Sequence, residues 1–85
     1  MSKDQTSLFD IKEIDERKAK DILNEVYDSL EERGYNPTNQ IVGYLISGDP
    51  GYISSYNEAR KKIQEIDRAK LVEILLDNFY SEWDI

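Results

Sequence analysis

Apolar residues first settle into a helical rhythm at Ala19. From there Ala19, Ile22, Leu23, Val26, Tyr27 and Leu30 fall at i, i+3, i+4, i+7, i+8 and i+11, one stripe of a 3.6-residue period. The opposite face carries Lys18, Asp21, Glu25, Asp28 and Glu32 and reads as solvated. Asp15 is placed to cap the start of this helix, and Gly34 to end it in the left-handed conformation that glycine enters freely. Pro37 disfavours helix at Asn36, so a second helix is expected to follow, capped by Asn36 or Thr38. It carries Ile41, Val42, Tyr44, Leu45 and Ile46, is apolar nearly all round, and should be buried. Gly48 stops it. Asp49-Pro50 then reads as a cap followed by proline in a first helical turn.

A third helix is expected from about Ser55, with Tyr56, Ala59, Ile63 and Ile66 on one face. Glu58 with Lys62, and Lys61 with Glu65, are i,i+4 pairs of opposite charge. Asp67 offers a break and a new cap. The last helix carries Leu71, Val72, Ile74, Leu75, Leu76, Phe79, Tyr80 and Trp83, an apolar arc wider than one small domain needs. Residues 1–14 show no such period and read as a flexible N-terminal tail, with Phe9 and Ile11 able to dock as a short extended piece. The pattern therefore predicts an all-α fold. It is a small bundle of four to five helices, helix-turn-helix-like in its middle, with a helical dimerisation domain over 15–85.

Composition adds a reason for self-association. The chain has 85 residues, and a domain of that size buries a thin core. Small domains commonly add disulfides, a metal or a partner subunit. With no cysteine and no histidine, neither disulfides nor a thiolate or imidazole metal site is available, and no cofactor is expected. A second copy of the chain remains. The expected homodimer interface is the arc Leu71, Val72, Leu75, Leu76, Phe79 and Trp83.

Charge narrows the partners. Eighteen acidic against 11 basic residues give a net charge of -7, which repels nucleic acid and anionic membranes. No apolar run approaches the ~20 residues that cross a bilayer, and the first ten residues lack the basic and apolar parts of an export signal. A cytoplasmic protein without membrane insertion is the expectation. One feature points the other way. Arg60-Lys61-Lys62 with Arg68 and Lys70 make residues 56–70 a +2 segment. With the short helices, this leaves a helix-turn-helix DNA-binding transcriptional regulator as the alternative. A DNA reader presents a basic face unopposed by acids, whereas Glu58, Glu65 and Asp67 interrupt this one.

Catalytic patterns are not met. Gly43 and Gly48 have the spacing of a phosphate-binding loop, but Asp49 and Pro50 stand where it needs lysine and a hydroxyl. The spacing of a calcium loop is absent too, and no pair of carboxylates lies in an apolar run. The tyrosines Tyr27, Tyr44, Tyr56 and Tyr80 lie on apolar faces and are expected to pack. The chain reads as a binding protein without enzymatic activity, with Gly34, Gly48 and Pro50 as structural turn residues.

Residues 34–53, GYNPTNQIVGYLISGDPGYI, closely resemble the signature of the IreB family of Gram-positive bacteria, roughly GYNPxNQIVGYxxSGDPxYI. Val26-Tyr27 and Leu30-Glu31 before it, and Asn57, Ala59-Arg60 and Ile63 after it, look like the family as well. The resemblance implies a helical homodimer that regulates cell-wall stress responses negatively, intrinsic cephalosporin resistance included. It implies as partners a membrane Ser/Thr protein kinase with extracellular PASTA domains and a cognate phosphatase, beside a downstream protein that the sequence does not identify. Asp4-Gln5-Thr6 with Phe9 is similar to the family's D-x-T followed by an aromatic, so the resemblance assigns phosphorylation to Thr6. The family's other tail threonine falls near Lys3, a departure that puts dual phosphorylation in doubt. Ser2 and Ser7 are nearby hydroxyls that the motif does not assign.

Overall fold

The computed structural model describes the backbone of residues 2–83 and the side chains of residues 16–81. Four α-helices and two 3-10 turns follow one another, with no strand among the described residues: α1 (Ser2–Glu32), α2 (Pro37–Ser47), turns at Pro50–Tyr52 and Tyr56–Glu58, α3 (Ala59–Ile63) and α4 (Arg68–Trp83). The fold is all-α.

The ends of the first two helices follow the sequence signals. Gly34 takes φ 93°, and two backbone bonds close the end of α1: Gly34 N–H donates to Glu31 O at 3.0 Å and Tyr35 N–H to Leu30 O at 3.0 Å. Together they satisfy carbonyls that a helix end otherwise leaves unpaired. Pro37 opens α2, and Asn36 is its cap, accepting from Asn39 N–H at 3.1 Å. Thr38 is thus inside the helix. Gly48 ends α2 at φ 78°, donating to Tyr44 O at 2.8 Å. Asp49 caps the next turn by accepting from Gly51 N–H at 2.8 Å, with Pro50 at its first position.

Other elements differ from expectation. α1 runs from Ser2, through the residues read as a tail. Neither glycine nor proline occurs before Gly34, so nothing local stops the helix, and Asp15 lies inside it rather than at its cap. The third helix is only Ala59–Ile63, because Asn57 (φ 52°) and Glu58 (φ 59°) are both left-handed. Glu58 and Glu65 therefore lie outside α3, and the predicted i,i+4 pairs do not form. Lys62 instead pairs with Glu25 at 3.5 Å, and Lys18 with Glu65 at 3.8 Å, tying α3 and the segment after it to α1.

The core draws on every helix. Ala19, Ile22, Val26 and Leu30 of α1 meet Ile41 and Tyr44 of α2, Ile53 of the loop, Ala59 and Ile63 of α3, and Leu71 and Ile74 of α4. The segment from Ser47 to Glu58 wraps this core and is held by side chains. Gln40 Oε1 accepts from Ser54 N–H at 2.8 Å, and Arg60 Nε–H donates to Ile53 O at 2.8 Å. Gly43 is tight for a reason other than helix packing. A Cβ there would stand 2.5 Å from the Tyr52 ring, which lies against α2.

Candidate functional site

The surface chemistry that stands out is apolar. α2 and α4 each bury one edge and leave the next edge in water. On α4, Leu71 is fully buried and Ile74 nearly so, while Val72, Leu75, Leu76, Phe79 and Tyr80 are between 40% and 59% exposed. Leu71 therefore belongs to the chain's own core and leaves the interface predicted for it. The rest of the predicted arc, Val72, Leu75, Leu76 and Phe79, forms an outward stripe. The side chain of Trp83, like that of Thr6, lies outside the described ones. Phe79 and Tyr80 meet edge to face at 5.0 Å. On α2, Val42 and Ile46, one helical turn apart, are 45% and 79% exposed.

A cleft joins these faces. It lies between α1, α2 and α4 and has a volume of about 410 Å³. Leu23 and Tyr27 line it from α1, Ile41, Val42 and Leu45 from α2, and Ile74 and Leu75 from α4. Its polar groups are few: Lys20, Asn24, Thr38 and Asn78. Sequence reasoning saw each of the apolar residues but not that the inner edges of α2 and α4 stand apart. One side chain bridges the two helices at one end. Arg68 Nη1 donates to Leu45 O at 3.0 Å, its guanidinium lying 2.9 Å from where a Cβ on Gly48 would stand. A cation there also complements the partial negative charge at the C-terminus of α2.

The basic group does not assemble a face for nucleic acid. Arg60 spends its Nε–H on the Ile53 carbonyl, Lys62 is paired with Glu25, and Arg68 is turned to α2. Among the described residues no three acidic, histidine or cysteine side chains gather as a metal site, and no helix is long and apolar enough to cross a membrane. The arrangement can hold another protein surface by burying apolar area.

In a comparison with protein families, the model of the IreB regulatory phosphoprotein matches residues 4–81, almost the whole chain.

Proposed function

The chain belongs to the IreB family of regulatory phosphoproteins, and from that premise we propose that it is a non-enzymatic, phospho-regulated adaptor acting as a homodimer. In this reading it works in the cytoplasm as substrate of a membrane Ser/Thr kinase and its cognate phosphatase. Through a downstream protein it restrains the cell-wall stress response and cephalosporin resistance.

The observation that carries the adaptor reading is the outward stripe of α4. Val72, Leu76 and Phe79 give a single chain an exposed apolar strip, which soluble monomers seldom keep uncovered. A two-fold pairing of such stripes would cover both copies at once. Thr6 is the proposed phosphoacceptor, in Asp4-Gln5-Thr6. A phosphate would add about -1.5 to -2 charges beside Asp4 and Asp10. The Arg60-Lys61-Lys62 group is largely engaged, with Arg60 and Lys62 both partnered. That favours release of the N-terminal segment to a partner over its docking on the body.

The test is phosphorylation of the full chain by the catalytic domain of a PASTA-type Ser/Thr kinase. The expected result is one phosphate, mapped to Thr6 and lost in Thr6→Ala. Undiminished labelling of Thr6→Ala would refute the site. For release, amide shifts on phosphorylation stay within residues 2–14; shifts at Arg60 to Ile63 would mean docking.

A further inference from the structure

Where the Ser47–Glu58 wrap joins α3, the local sequence and the fold disagree. Ser55-Tyr56-Asn57-Glu58 has the spacing of a capping box, a serine followed three residues later by a glutamate, which marks the start of a helix. Glu58 and Lys62 are spaced for an i,i+4 pair with the glutamate first, which favours the same helix. Tyr56 stands three residues before Ala59 and seven before Ile63, so a helix begun there would keep a single apolar face. The fold uses none of these signals. Ser55 makes no side-chain capping bond, and Glu58 has no ion-pair partner among the described residues. Asn57 and Glu58 are both left-handed, at φ 52° and 59°. Asparagine enters that conformation at small cost, whereas glutamate is strained there.

Tertiary contacts impose the left-handed pair. Ile53 is fully buried in the common core. Arg60 holds the chain beside it with two bonds, backbone N–H to Ser54 O at 3.1 Å and Nε–H to Ile53 O at 2.8 Å. In a helix running from Tyr56, the Arg60 N–H would go to Tyr56 O instead. Such a helix would also carry Ser54 and Ile53 off the end of α3, away from the core. The remaining ties cross to α1 and are long. The Tyr56 hydroxyl donates to Glu32 at 3.4 Å, with the Arg33 guanidinium over the ring, and Asn57 Nδ2 donates to the buried Ser29 Oγ at 3.4 Å. The burial of Ile53 and the helix from Tyr56 therefore exclude each other.

We propose that the Ser47–Glu58 wrap is a two-state strap. In its main state Ile53 is buried and Asn57 and Glu58 are left-handed. In its minor state α3 begins at Tyr56 and Ile53 faces solvent. Local and tertiary preferences opposed within a few residues bring two arrangements close in free energy. The strap thereby controls access to an apolar residue that the main state hides. This goes beyond the adaptor reading and needs neither the dimer nor Thr6.

The experiment is relaxation-dispersion and saturation-transfer NMR on the full chain labelled with 13C and 15N. Millisecond exchange is expected from Ile53 to Arg60, with a minor state on the order of 1%. Its backbone carbon shifts at Asn57 and Glu58 are expected to be those of right-handed helix. Glu58→Gly relieves the left-handed strain and weakens the helix, and should cut the minor population about tenfold or more. Asn57→Ala does the reverse, straining the main state and favouring the helix, and should raise it about tenfold. Ser29→Ala, which removes only the long bond to Asn57, should raise it about threefold and gives a second reading should Asn57→Ala disturb the fold. Absence of exchange in the natural chain and both alanine variants would overturn the proposal. So would minor-state shifts of random coil, which mean local unfolding, a population that Glu58→Gly fails to lower, or one that neither alanine variant raises.

Discussion

Gly43 and Gly48 lie five residues apart, and the chain needs each for a different reason. Gly43 has ordinary helical backbone but sits under the Tyr52 ring, 2.5 Å from where a Cβ would be. Alanine there would gain about 1 kcal/mol of helix propensity and would have to move that ring. Gly43→Ala is therefore expected to leave stability flat or lower it in the natural chain. In a Tyr52→Ala background the same change should raise stability by about 1 kcal/mol, a coupling read from a double-mutant cycle in urea. Gly48 has φ 78° with the Arg68 guanidinium against it, so Gly48→Ala should cost about 1–2 kcal/mol in any background. Both glycines are visible in the sequence. Nothing there tells them apart, because the ring over Gly43 comes from a turn nine residues on. Glu58 is a third special position: a non-glycine residue at φ 59°. Relief of the left-handed strain, about 1–2 kcal/mol, against the greater chain entropy of glycine leaves a net gain. Glu58→Gly is expected to raise the urea midpoint.

At the level of elements, the caps are legible in the sequence and the short helix is not. Gly34, Asn36-Pro37 and Gly48 act through their own backbone and nearest neighbours, so their signals are local. α3 has five residues, too few to be stable alone. It persists because Ala59 and Ile63 are fully buried against α1, a contact that no local pattern specifies. The ion pairs from α3 and the segment after it to α1 are half exposed and worth well under about 1 kcal/mol each. α4 reads as one apolar arc but divides into two. Leu71→Ala should cost the single chain about 3 kcal/mol, as a buried leucine does. Leu76→Ala should change that by less than about 1 kcal/mol and act on self-association instead. Thermal unfolding at two protein concentrations distinguishes them: only the natural chain and Leu71→Ala should keep a concentration-dependent midpoint.

For the whole molecule, the expectation that follows from α4 is a chain whose mass depends on concentration. Leu76→Glu with Phe79→Glu puts two charges into the outward stripe while sparing Leu71 and Ile74. The double variant should sediment as a folded monomer at micromolar concentration with an unchanged helical circular dichroism spectrum. A natural chain that is itself a well-folded monomer under those conditions would end the dimer reading. The all-helical class, the core stripe of α1 and the identity of α2 are all legible in the amino-acid sequence, since each rests on periodicity. The extension of α1 to Ser2 is not, because polar residues without a period neither forbid nor require helix. Nor is the cleft, which is a property of how far apart α2 and α4 stand rather than of either alone.

The bond from Ser54 N–H to Gln40 Oε1 gives the molecule a built-in clock. Amide protons in connecting segments normally trade with solvent deuterium quickly, because nothing shuts them away. This one is part-buried and closed by a side chain carried on α2, so it can exchange only when the Ser47–Glu58 wrap lifts from that helix. Its rate reports the opening of one seam, on the side of α2 reached by Gln40 rather than by the cleft-lining Ile41, Val42 and Leu45. Gln40→Ala should therefore let the Ser54 proton wash out early while the amides deep in α1 keep their time.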